Sequence, residues 1–191
     1  LAERYMHHRE SFDIDLFTDT PFRYEEVFLL AQEVKKITGL KSMEEKKVFD
    51  RWEFFLCNHH ELRFEFVHYQ FPALKKRQRW QGVLIDSLED MAANKTMALV
   101  ERHEPKDAVD IYFLIKKENY DPQKFLNLAK RKFGLRMDQG SLLSETLRAC
   151  KRLREIQPLL LGNQGEQEAL IKTMESYFSN LSAKYLRRQW R

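Results

Sequence analysis

Cysteine is scarce in this chain. Cys57 and Cys150 are the two in 191 residues, too few and too isolated for a disulfide framework or a zinc-binding spacing, and suited to a reducing cytoplasm. Long apolar runs are missing as well: none approaches the roughly 20 residues that span a bilayer, which excludes a membrane-crossing segment and predicts no membrane partner. The six histidines include two adjacent pairs, His7-His8 and His59-His60. Neighbours in sequence point apart on a helix or strand, so these pairs belong at element ends and not in a metal site. Internal repeats and low-complexity tracts are also lacking, which sets aside solenoids and disordered linkers. What remains is an ordinary globular composition, 43% hydrophobic with 13% aromatic, long enough to bury a core.

Charge is unevenly spread. The net +4 hides an acidic excess over residues 1–120 and a basic surplus over 121–191, where fourteen Lys and Arg face seven Asp and Glu. That asymmetry suggests a boundary near residue 120, with a catalytic core over 1–120 and a helical region over 121–191. It suits an enzyme that holds cations in one half and a polyanion in the other, although basic helix faces are often only solvated.

The most informative stretch is Asp13-Ile14-Asp15-Leu16-Phe17. As a strand, its period-2 alternation places both carboxylates on one face and Phe12, Ile14 and Leu16 on the other. Two acids that close repel each other unless a cation lies between them. Hard oxygen ligands at this spacing suit Mg²⁺, or Mn²⁺, with its remaining positions left for water and substrate phosphates. The alternative is a solvent-facing strand that happens to be acidic.

Around this pair, Arg9-Glu10-Ser11-Phe12-Asp13-Ile14-Asp15-Leu16-Phe17 resembles the R-x-S-x-D-x-D-L-F core motif of the nucleotidyltransferase superfamily, and within it the AbiEii/AbiGii toxin branch. A second stretch, Lys95, Ala98-Leu99, Arg102 and then Lys106-Asp107-Ala108-Val109-Asp110-Ile111, is similar to that family's later motif, K-x-x-A-L-x-x-R followed by K-D-x-x-D-L. The two lie in order, about eighty residues apart. The superfamily also places a Gly-Gly or Gly-Ser turn shortly before the paired acids. The chain opens on Leu1 and not on an initiator Met, so the expectation is a truncated start with that turn upstream.

The resemblance implies an α/β (α+β) fold, a small mixed nucleotidyltransferase-like sheet with flanking helices plus the C-terminal helical region. It implies a metal-dependent nucleotidyltransferase, the toxin of a toxin–antitoxin or abortive phage infection system, moving a nucleoside monophosphate from a nucleoside triphosphate (NTP) to a tRNA-like RNA in the cytoplasm, with a cognate antitoxin as partner. A catalytically inactive nucleotide- or nucleic-acid-binding module on the same fold is the alternative. Asp13 and Asp15 would carry the metal, and Arg9 and Ser11 would contact triphosphate oxygens. Glu65 interrupts an apolar neighbourhood on a predicted strand, where the family has its third carboxylate. It either completes the metal site or acts as base; otherwise it is an edge-strand acid paired with Arg63 or Arg51. Lys95 has Met91, Ala92, Ala98 and Leu99 as helical neighbours and pays desolvation unless an anion compensates. It either reaches the nucleotide or snorkels to water. Arg102, Lys106, Asp107 and Asp110 would form a paired network behind it.

Local signals place these residues. Pro21 is preset for the first position of a helix over 22–37 that stops at Gly39. Two aromatic-rich runs, 48–57 and 62–71, read as a hairpin. Ser87 and Asp90 have capping-box spacing for a helix over 88–103, and Pro105 opens another over 106–116. Helices over 122–133, 141–156 and 164–188 follow, separated by Gly134, Gly140 and the 162–165 stretch. Lys130-Arg131-Lys132, Lys151-Arg152-Leu153-Arg154 and Arg187-Arg188-Gln189-Trp190-Arg191 offer charge for phosphate and an aromatic for a base.

Overall fold

A computed structural model describes residues 1–49, 51–58 and 61–189. The chain divides into two compact units, Ser11–Phe71 and a second made of Leu1–Glu10 with Pro72–Arg191. The compositional boundary at residue 120 falls inside the second of these.

The first unit is an α/β sandwich of one helix on one sheet. Strands β1 (Asp13–Thr18), β2 (Ser42–Val48), β3 (Arg51–Cys57) and β4 (Glu61–His68) lie in the order β1-β4-β3-β2. β1 runs parallel to β4, and β4, β3 and β2 form an antiparallel meander. Alternation decides the faces. Leu16, Trp52, Phe54, Phe64 and Phe66 point to one side, where helix α1 (Tyr24–Thr38) lays Val27 and Ala31 against them. Phe54 and Ala31 are fully buried, and burying a side chain as large as phenylalanine contributes about 1.5–3 kcal/mol. The opposite face carries charge.

Within this unit two local features differ from expectation. α1 begins at Tyr24 and not at Phe22, because Glu26 reaches back to accept the Arg23 backbone N–H at 3.1 Å and fixes the start there. β2 was not foreseen as a separate strand: Glu44-Glu45-Lys46-Lys47 lacks apolar alternation, and as an edge strand β2 needs little of it. α1 does stop at Gly39, whose φ of 70° places it in the left-handed region that glycine enters freely.

The second unit is helical, with a small hairpin of β5 (Gln78–Trp80) and β6 (Val83–Ile85). Its two-residue connection, Gln81 and Gly82, has φ of 46° and 86°, the positive pair that a tight hairpin turn requires. Helices α2 (Leu88–Arg102), α3 (Pro105–Glu118), α4 (Pro122–Phe133), α5 (Gln139–Cys150) and α6 (Gln164–Gln189) follow. Three of their starts are set by side chains: Ser87, Asp121 and Asp138 each accept a backbone N–H three residues on, satisfying donors that a helix start leaves open. α5 ends at Cys150 and gives way to a 3₁₀ segment, Leu153–Leu159, where one helix to residue 156 was expected. One core joins these helices, with Leu99, Val109, Leu114, Phe125, Leu153, Met174 and Phe178 among its most buried members. The N-terminal turn Ala2–Met6 docks on it through buried Met6, with Tyr5 packed alongside; Lys117 Nζ donates to the Met6 carbonyl and Tyr5 Oη donates to the Asp86 carbonyl at 2.9 Å. Among the described residues no helix is long and apolar enough to cross a membrane.

Candidate functional site

The charged face of the sheet is built by register. Asp13 pairs with Arg63 and Asp15 with Glu65 across β1–β4, and Glu65 pairs with Glu53 across β3–β4. All of these side chains, with Arg51, therefore share one face. Directly opposed acids destabilise a sheet unless cations intervene, and here two arginines do. Arg63 Nη2 donates to Glu65 Oε2 at 2.8 Å and to Glu53 Oε1 at 3.1 Å, while Arg51 Nη1 donates to Glu65 Oε1 at 3.2 Å. Glu53 and Glu65 are buried, Asp13 is half-buried and Asp15 is exposed.

Burial pushes the Glu65 carboxyl above its ordinary range, with Asp15 and Glu53 adding to the rise and Arg63 and Arg51 opposing it. Glu65 does form the ion pairs weighed for it in the sequence, with both Arg63 and Arg51. Among the described residues no group of three His, Cys, Asp or Glu side chains is arranged to hold a metal ion. Ser11 is exposed just ahead of β1.

The helical unit carries a second constellation. Asp107 and Asp110, one turn apart on α3, are completely buried. Lys95 Nζ on α2 lies 3.0 Å from Asp107 Oδ1 and 2.9 Å from Asp110 Oδ2. Arg102 Nε donates to Asp107 Oδ2 at 3.0 Å. Arg9 presents its fork to Asp110, at 2.9 Å from Nε and 3.1 Å from Nη2, and His8 Nε2 lies 2.7 Å from the same carboxylate. Burial alone would raise the Asp110 carboxyl, but Lys95, His8 and Arg9 outweigh it and hold the group well below the usual carboxylate range. For Lys95, burial pulls the ammonium down while Asp110 and Asp107 overcome it and raise it.

The anions that compensate Lys95 are therefore in the protein itself. Of the four residues expected behind it, Arg102, Asp107 and Asp110 make the network, and Lys106 is half-buried in the first turn of α3. The sequence reading missed His8 as a member. Nothing in an adjacent histidine pair marks it, and its partner is 102 positions away. It also missed Glu53 as a second anchor for these arginines, although a repeated Arg-x-Glu, Arg51-Trp52-Glu53 and Arg63-Phe64-Glu65, was there to be seen. Of the basic stretches, Lys132 is turned inward, with Nζ 2.8 Å from buried Asp90, and Arg152 is bidentate to Glu155. Trp190 and Arg191, like His59 and His60, lie outside the described residues.

The sequence model of a family described as nucleotidyl transferase AbiEii toxin of type IV toxin–antitoxin systems matches residues 53–187. The chain belongs to this AbiEii family. Glu65 and the Lys95–Asp110 constellation fall within the matched span, and the paired acids of β1 precede it. An uncharacterized protein of Aquifex aeolicus (strain VF5) is 28% identical over 130 residues, 66% of this chain; the chain spans 59% of that relative's length. Among solved structures, JHP933 of Helicobacter pylori has a TM-score of 0.52 at 15% identity, covering 97% of this chain and 82% of its own. A second Helicobacter pylori chain, provisionally named a nucleotidyltransferase, has a TM-score of 0.53 at 14% identity, covering 96% and 84%. These likenesses establish that the AbiEii-family chain has the mixed α/β fold of those structures.

Proposed function

We propose that this AbiEii-family chain transfers a nucleoside monophosphate from an NTP to the end of an RNA, with tRNA-like molecules as the acceptor class, and that a cognate antitoxin in the same cytoplasm restrains it. The observation that carries the reading is the shared sheet face: Asp13 and Asp15 two apart on β1, with Glu65 directly across a parallel strand pair. Their oxygens fit Mg²⁺ or Mn²⁺ through two carboxylates, since Mg²⁺ keeps several waters and takes its other ligands from phosphates. Bound there, a divalent ion would neutralise the reacting phosphate and align the attacking and leaving oxygens.

The remaining work falls to the chain. An acceptor hydroxyl oxygen forms a bond to the α-phosphorus, the α–β bridging P–O bond breaks, pyrophosphate leaves, and the hydroxyl proton passes to a base. Glu65, with its carboxyl raised, is the proposed base, because a group nearer the working pH is the better proton acceptor. As a third metal ligand it would first release an oxygen from Arg51 or Arg63. Ser11 and Lys95 are the proposed phosphate contacts. Arg9, Arg102, Asp107 and Asp110 act through Lys95 as positioning residues, Arg9 by spending its fork on Asp110.

The observation favouring a binding module is that both Glu65 oxygens are already taken by guanidinium groups. Incubating the chain with α-labelled NTP, Mg²⁺ and RNA separates the two readings. Transfer of label that is abolished by Asp15→Asn, with the melting temperature nearly unchanged, supports the enzyme. NTP binding without transfer in Mg²⁺ or Mn²⁺ supports the module.

A further inference from the structure

We propose that Arg51 and Arg63 are nucleotide-binding residues that receive the anionic phosphates of the NTP on the acid-bearing face of the sheet. This rests on the nucleotidyltransferase reading above and adds to it two residues outside both motifs. The first argument is position. Arg63 stands opposite Asp13 in the β1–β4 register, and Arg51 occupies the same face of the next strand. A phosphate chain bound through a metal on Asp13 and Asp15 would lie within reach of these side chains.

The second argument is unused donor capacity. A guanidinium has five N–H groups in a fixed fork. Arg63 Nε is buried without a hydrogen-bond partner, and Arg51 Nε lies 3.2 Å from Glu53 Oε1 without the alignment of a hydrogen bond. Buried donors left unmade cost stability, and in a native structure they call for an explanation. Both side chains nonetheless reach solvent, Arg51 being 42% and Arg63 26% exposed, so an incoming anion has access to their outer edges.

The third argument is preorganisation. Glu53 and Glu65 are buried and hold the two guanidiniums from below, fixing long side chains that would otherwise lose rotamer freedom on binding. The planar fork matches phosphate geometry, and a lysine in the same place would supply only a point charge.

The test is calorimetric titration of wild type, Arg63→Lys, Arg63→Gln and Arg51→Gln in Mg²⁺ with each of the four NTPs and the matching monophosphates, with melting temperatures measured alongside. Arg63→Lys keeps the charge that neutralises Glu53 and Glu65, so it should melt close to wild type yet bind NTP about ten- to a hundredfold more weakly. Monophosphate affinity should change much less, so the affinity gained from NMP to NTP shrinks. A purely structural role would lower the melting temperature without altering that gain. If Arg63→Gln does not fold, Arg51→Gln, on the more exposed side chain, carries the same comparison. Wild type and all variants binding NTP equally overturns this inference and leaves the proposed function standing. No NTP binding by wild type overturns both.

Discussion

Asp110 collects three cationic or ionisable partners in full burial, and such a centre responds asymmetrically to substitution. Removing one member of a buried pair leaves the rest uncompensated, at about 3–5 kcal/mol. Lys95→Ala removes the ammonium that Asp107 and Asp110 share and leaves Arg102, Arg9 and His8 to compensate two buried carboxylates, so it should lower the urea midpoint markedly as well as weaken NTP binding. Unchanged stability with unchanged NTP affinity would return Lys95 to a surface role. His8 offers a reading by pH. Burial holds its imidazole below the ordinary range against the pull of Asp110. Below about pH 6.5 the unfolded chain takes up a proton that the folded chain refuses, so stability falls as pH drops from there. The slope is at most about 1.4 kcal/mol per pH unit for this one group. Glu65, raised by burial, works in the opposite sense, with stability falling as pH climbs above about 4.3, the unfolded value. Comparing urea midpoints of wild type and His8→Gln between pH 7.5 and 5.5 isolates the histidine, since Glu65 is common to both. Equal slopes would mean that His8 does not titrate there. At this scale the alternation in β1 made Asp13 and Asp15 legible, while His8 was not, because its partnership is created by packing between residues 102 apart.

Elements whose ends are fixed by local chemistry were the legible ones. α4 spans Pro122–Phe133 as expected because Asp121 caps it, Pro122 opens it and Gly134 closes it, all within the segment. Elements fixed by partners were not. β2 is held by β3, and the β5–β6 hairpin is too short for three-residue alternation to register. Asp90 shows the same division inside one residue. Its spacing from Ser87 announced a helix start, and Ser87 Oγ does accept the Asp90 N–H at 3.1 Å. The reciprocal half of the box is absent: the Asp90 carboxylate instead accepts from the Leu74 and Lys75 backbone N–H groups and from Lys132 Nζ. Burial would raise that carboxyl, but Lys132, Ser87 and Leu74 together bring it down. Asp90 is therefore a strut linking the segment after residue 72 to α2 and α4. Asp90→Ala should destabilise the helical unit by about 3–5 kcal/mol and open residues 72–77 to limited proteolysis before the helices are cut. Cleavage at the wild-type rate in that segment would show that the strut is not what holds it.

Across the whole molecule, the basic surplus of residues 121–191 becomes smaller and more specific once the structure assigns its members. Lys132 belongs to the Asp90 strut and Arg152 to Glu155, and neither is at liberty to hold a polyanion without cost elsewhere. Lys130, Arg131, Lys151 and Arg154 are exposed on the helical unit and are the side chains on which an RNA acceptor would draw. Replacing these four by Glu should leave the melting temperature within a few degrees, because exposed charges contribute about 0–1 kcal/mol each. NTP affinity should also stay unchanged. RNA binding should weaken, and the dependence of log K on log salt should flatten by about 0.7–0.9 for each RNA phosphate that the variant no longer neutralises. Lys132→Glu is the contrasting variant: it should unfold the helical unit by setting a second buried carboxylate against Asp90. Equal transfer of labelled nucleotide to RNA by wild type and the fourfold variant, or an unaltered salt slope, would make these helices ordinary solvated surface and leave the antitoxin as the partner for that charge.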